Sequence, residues 1–253
     1  MRTWNSMKVG AAIAVAMLFV GAQADAATQA ALNFPTGMNG NQQTGSGDRS
    51  FGYAFTVNSP ITINDLGAFD NPGNGLGTFG GTVSVAIYSV TLNATTHLPT
   101  AGTLLGNVVN FYTGEAGMTH IGNAAFLPAS GISTLHSGTY MVVANHYGNP
   151  GGTGFEQNYA SNNPNPGTAP SVNSSSAITV AHYNYLLGSW PTWGNSLPTG
   201  WTLGNAAFIE WAGPNFEFAP VPEAAQFALA GVGLLGLVYI GRSVRARRSL
   251  KLA

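Results

Sequence analysis

Basic residues in this chain are confined almost entirely to its two ends, and each group borders an apolar run. Of eight Lys and Arg residues, Arg2 and Lys8 precede the run 9–20. Arg242, Arg245, Arg247, Arg248 and Lys251 follow the run 224–241, which leaves Arg49 alone between the two. The first run, roughly 12 residues, is too short to span a bilayer and matches a signal peptide's hydrophobic region. Ala22-Gln23-Ala24 then offers the small residues that a signal peptidase needs, with Ala24-Asp25-Ala26 as a second register. A buried N-terminal helix would not require these three parts in this order. Residues 1–26 are therefore expected to form a signal peptide helix removed by signal peptidase. The second run, about 18 residues, would make a helix of roughly 27 Å, close to the hydrocarbon thickness of a bilayer. It holds no charge, and Gly231, Gly233 and Gly236 suit a membrane helix better than a soluble one. The cations behind it are expected to stay cytoplasmic as a stop-transfer tail, so a single C-terminal transmembrane helix is predicted. The chain is thus expected to be exported, anchored in the inner membrane before processing.

The segment 27–219 is long enough for one domain with its own core. It has no cysteine, which removes thiol catalysis and Cys-ligated metals. Asp48, Asp65, Asp70, Glu115, Glu156, Glu210 and Glu217 stand against Arg49, and phosphate backbones need clustered cations, so no nucleic-acid partner is expected. Apolar residues recur with period two: Phe51, Tyr53, Phe55 and Val57; Val83, Val85 and Ile87; Tyr140, Val142 and Ala144. The stretches 61–63, 104–111, 178–180, 208–211 and 215–218 are further strand candidates. Gly, Asn and Pro fill the intervals at 71–75, 149–152 and 162–167. No helical periodicity is sustained inside the segment. Seven to nine short strands with alternating faces predict a mainly β domain, an antiparallel β-sandwich of jelly-roll-like type.

Chemistry is sparse. No Gly-x-Ser-x-Gly elbow occurs in a strand–helix setting. His97, His120, His136, His146 and His182 are scattered without a His-x-x-x-His pair, and no metal site or cofactor is expected. Asp65, Asp70, Asn71 and Asn74 could supply oxygens to calcium, but they match no full calcium loop and are the ordinary residues of tight turns. A glycosidase needs two facing carboxylates, and sequence does not say which of the seven acids face each other. Trp190, Trp193, Trp201 and Trp211 fall in one region with Tyr183 and Tyr185. They could stack on sugar rings or simply fill a core.

Val221-Pro222-Glu223, the apolar run and the Arg-rich end together resemble the PEP-CTERM sorting signal of exopolysaccharide-producing Gram-negative bacteria. The family's motif is most often Pro-Glu-Pro, and Ala224 stands at its third position here. The resemblance implies recognition at Pro222-Glu223 by an exosortase-type transpeptidase in the cytoplasmic membrane. It also implies a sorting segment at 220–253 and transfer to the cell surface or extracellular matrix. A second resemblance, over 50–147, is to a β-sandwich domain found among PEP-CTERM proteins. It rests on a Leu66-Gly67-Ala68-Phe69-Asp70 turn and on a hairpin carrying Leu104-Leu105-Gly106. These readings lead to a non-enzymatic exported matrix protein associated with exopolysaccharide or biofilm. The alternatives are a carbohydrate-binding module using the four tryptophans and a secreted hydrolase.

Overall fold

A computed structural model describes residues 27–34, 49–70, 82–112, 116–132, 134–147, 171–173, 175–187, 193–203 and 213–221. The expected signal peptide, transmembrane helix and basic tail lie outside the described residues, as does the strand candidate 208–211. Among the described residues no helix is long and apolar enough to cross a membrane. Thr28–Val221 form one compact unit.

That unit is mainly β, with every strand pair antiparallel. One sheet runs β1 (Gln29–Ala30), β14 (Pro214–Pro220), β4 (Ile61–Phe69), β8 (Ala124–Pro128), β7 (Thr119–Ile121), and β9 (Thr134–Leu135) also pairs with β4. The other runs β13 (Thr202–Leu203), β12 (Ile178–Leu187), β3 (Arg49–Val57), β10 (Gly138–Tyr147), β5 (Val83–Leu92), β6 (Pro99–Phe111). β2 (Leu32–Asn33) and β11 (Ser171–Val172) make a small separate pair. Fourteen strands are described, more than the seven to nine expected, and eight of them have five or more residues.

Period-two patterning explains how the two large sheets meet. Side chains alternate sides along a strand, so Phe51, Tyr53, Phe55 and Val57 share one face of β3. Register places Val142 opposite Tyr53, and Ile87 opposite Val142, so an apolar row crosses the sheet. Leu66, Ala68, Phe216 and Phe218 of the first sheet belong to the same buried cluster. Phe55 and Phe216 lie with ring centroids 4.6 Å apart, closing the two sheets over one core. Each such buried ring contributes roughly 1.5–3 kcal/mol by leaving water.

The second sheet departs from simple alternation. Ala86, Tyr88, Met141 and Val143 point away from that core yet are fully buried, in a second cluster with Leu197 and Trp201. Their cover is the segment 193–203, a strap that crosses the outer face. At one edge Leu104 N–H donates to Asn195 O (3.0 Å) and Leu197 N–H donates to Gly102 O (3.1 Å). At the other, the strap ends as β13 beside β12.

One turn assignment needs correction. Leu66–Phe69 continue strand β4, because Leu66 and Ala68 fill the core and the strand pairs with both β14 and β8. Gly67 has a packing role there: a Cβ would meet the Phe126 ring at 2.4 Å. The aromatic partner occupies the space that a side chain would take. Leu104-Leu105-Gly106 lie in β6, the second strand of the β5–β6 hairpin, which thus carries them as expected. The tip is 93–98, where the Asn93 side chain accepts from Thr95 and Thr96 N–H (both 2.8 Å). Gly106 sits where the register slips, between Val85↔Val109 and Ile87↔Leu105, at φ +65°. Its missing Cβ admits Gly131 and Ile132, and Asn107 N–H donates to Ser130 O (2.9 Å). The bulge is therefore a docking point for the loop between β8 and β9.

The N-terminal strand is clasped by asparagines. Leu32 N–H donates to Asn215 Oδ1 (3.0 Å), and Asn215 Nδ2 donates back to Leu32 O (2.8 Å). Asn173 Nδ2 donates to Ala30 O (3.0 Å). Because β1 pairs antiparallel with β14, Gln29 opposite Phe218, Thr28 and Val221 emerge at the same end of the sheet.

Candidate functional site

Val221, the first residue of the expected sorting motif, follows β14 directly. β14 runs to Pro220, and the next residue, Val221, is half-buried with its N–H donating to Pro60 O at 2.8 Å. Pro222 and Glu223 lie outside the described residues, as do Arg242, Arg245, Arg247, Arg248 and Lys251.

The tryptophan cluster does not form a platform among the described residues. Trp201 is only 5% exposed, packed in the outer cluster with Tyr88, Met141 and Val143. A ring so covered has no face to offer a sugar, which corrects its assignment as a stacking residue. Trp193 is half-buried against the same cluster. Trp190 and Trp211 lie outside the described residues. Tyr88 shares this cover: its hydroxyl donates to Gly194 O (3.2 Å), and burial holds the phenol well above its ordinary value.

Three ionisable pairs were not readable from sequence. The first is Asp65 with Glu217, brought opposite each other by the β4–β14 register. Glu217 is 8% exposed, on the face of β14 opposite its core residues Phe216 and Phe218. Burial raises its carboxyl above the usual range, and the neighbouring Asp65 charge and the hydrogen bond that protonated Glu217 donates to Asp65 raise it further. Both effects favour the protonated form of Glu217. The two acids leave no room for a glycosidic oxygen, since a retaining or inverting pair stands about 5–9.5 Å apart.

The second pair is Asp70, fully buried at the end of β4, with His120 of β7, whose Nδ1 lies 3.6 Å from Asp70 Oδ2. Asp65 and Asp70 thus face different partners rather than converging on one cation. Among the described residues, no three His, Asp or Glu side chains group to hold a metal. The third is His97 with His182, whose rings stack at 4.1 Å. Burial lowers the His182 imidazole from its ordinary value, and the His97 charge lowers it further. His136 contributes its backbone O, an acceptor for the Tyr140 hydroxyl (2.9 Å). The only sequence signal for these pairs was residue type, because strand register, set across the whole chain, decides which acids and imidazoles meet.

In comparisons with known proteins, no family model matches the chain and no curated protein matches it.

Proposed function

We propose that this chain is an exported, non-enzymatic surface or matrix protein, a jelly-roll-like β-sandwich delivered and sorted by its two terminal segments. A signal peptide at 1–26 would direct export. The segment 220–253 would hold the chain in the inner membrane until an exosortase-type transpeptidase acts at Val221-Pro222-Glu223. The observation that carries the reading is the order at the C-terminal side: Pro222-Glu223, an uncharged run at 224–241, then Arg242, Arg245, Arg247, Arg248 and Lys251. The position of β14 agrees with it, since the last strand ends at Pro220 and leaves the motif directly after the domain. Proline at 222 removes an amide donor and disfavours helix at Val221, so the motif suits an extended approach to a membrane-embedded enzyme. Association with exopolysaccharide or biofilm rests on the family resemblance alone.

The covering of Trp201 weighs against a carbohydrate-binding module, and the close contact of Asp65 with Glu217 weighs against a glycosidase. Glu223→Gln tests the proposal, because it keeps shape and removes charge without touching the anchor. The variant should accumulate full-length in the membrane fraction, while wild type loses its tail and leaves that fraction. Equal full-length retention of both would replace the sorting reading with an ordinary anchor.

A further inference from the structure

Among the described residues, the only non-glycine residues with left-handed backbone are His97 (φ 56°) and His182 (φ 54°). They are also the two whose rings stack on each other, with centroids 4.1 Å apart and planes 7° from parallel. Left-handed backbone is uncommon outside glycine, and strained residues that touch one another point to a selected contact. His182 is the extra residue of a bulge in β12, between Ala181↔Ala54 and Tyr183↔Tyr53. His97 closes the tip of the β5–β6 hairpin, its N–H donating to Asn93 O (2.8 Å). In the sheet, β12 and β5 are separated by β3 and β10, so the stack is not a contact between ladder neighbours. Val90 and Leu98 of the same hairpin pack on the outer apolar cluster with Trp193 and Trp201. The imidazoles therefore join the hairpin to β12 beside that covered face.

We propose that the His97–His182 stack is a proton-operated latch, closing the β5–β6 hairpin over the apolar outer face and loosening it in acid. Two neutral imidazoles stack without penalty, and a single proton is tolerated because a cation is attracted to a ring face. A second proton places like charges about 4 Å apart, which opposes closure by roughly tenfold or more. Burial and the neighbouring charge lower the His182 imidazole, so the closed state binds fewer protons than the open one. Closure is then complete above about pH 6.5 and weakens as pH falls below it.

Among the described residues, few ionisable groups lie on the elements that bear the stack. The hairpin residues 90–100 and the strap 193–203 carry no ionisable side chain except His97. β12 adds Tyr183 and Tyr185, β3 adds Tyr53 and Arg49, β5 adds Tyr88, and β10 adds Tyr140, His146 and Tyr147. Phenols stay neutral and guanidinium charged between about pH 5 and 8. His146 lies at the far end of β10, beyond Asn145, which pairs with Ser84 near the start of β5. Metal chelation is the lesser use, since parallel rings aim their nitrogen lone pairs side by side and not at one point.

Hydrogen exchange of the full chain in detergent, read by mass spectrometry at pH 8 and pH 5 and corrected for intrinsic exchange, tests the latch. Protection of peptides covering 89–104 should fall about tenfold at pH 5, while peptides from β4 and β14 keep theirs. His97→Asn and His182→Asn should abolish the step, asparagine being tolerant of left-handed backbone. The latch is overturned if hairpin protection is equal at both pH values, if the step survives both substitutions, or if all strands lose protection together. Should a variant not fold, the wild-type imidazole C2–H resonances decide. A coupled titration with one midpoint below about pH 6.5 supports the latch, and two independent ordinary titrations overturn it.

Discussion

Glu217 is a carboxylate whose surroundings oppose its charge. Burial comes first, and Asp65 adds repulsion and a hydrogen bond that favours the protonated form. The consequence for stability has a definite sign. The folded state binds this proton more tightly than the unfolded chain does. The resulting stabilisation is fully present below the ordinary carboxyl value and is lost as pH rises through the raised folded value. Most carboxylates behave in the opposite sense, so this pair should make the domain less stable at neutral pH than its other interactions allow. Glu217→Gln retains a hydrogen-bond donor to Asp65 without the charge. It should raise the melting temperature at pH 7 by about 2–4 °C, with the gain shrinking toward pH 4. Thermal denaturation of wild type and variant at the two pH values checks this. A variant less stable at pH 7 would contradict the raised Glu217 carboxyl.

The strap and the hairpin show what a strand pattern can and cannot reveal. Tyr140, Val142 and Ala144 alternate toward the core as their spacing indicates, and the long strands β3, β5 and β10 form there. The same stretches also read as nearly unbroken apolar runs, "VSVAIY" and "YMVVA", which is the mark of a strand buried on both faces. What covers the second face could not be read, because 193–203 lies far along the chain and crosses from β6 to β12 only once both are in place. The tryptophans carried the right chemistry for either a sugar platform or a core; burial of Trp201 assigns that residue to the core. Gly67 and Gly106 were visible as parts of a motif, but their reasons, the Phe126 ring and the Gly131–Ile132 backbone, are long-range. The carboxyl and imidazole pairs were hidden likewise. Trp201→Ala should remove the more deeply buried of the two described tryptophans in the strap. It is expected to cost about 3–5 kcal/mol in urea unfolding, as truncation of a buried aromatic does. A loss below about 1 kcal/mol would place the ring at the surface and reopen the platform reading.

At the scale of the whole molecule, the domain's two ends leave from one end of one sheet, fixed by the Gln29↔Phe218 pairing and the asparagine clasp on β2. The strand β1 is thereby built into the same sheet as β14, which precedes the proposed sorting motif. Removal of a leader up to Ala24 or Ala26 would leave the clasped strand intact, since β1 begins at Gln29. Removal of a tail from Pro222 onward would likewise spare β14, which ends at Pro220. The loss of both segments would thus cost the domain no described strand. The most direct test is the intact mass of the form recovered from the cell surface or medium of a native producer. The proposal predicts a chain that begins at Asp25 or Ala27 and has lost the apolar run and the basic tail after the Val221-Pro222-Glu223 motif. A surface form that retains Arg242 through Lys251 would contradict it.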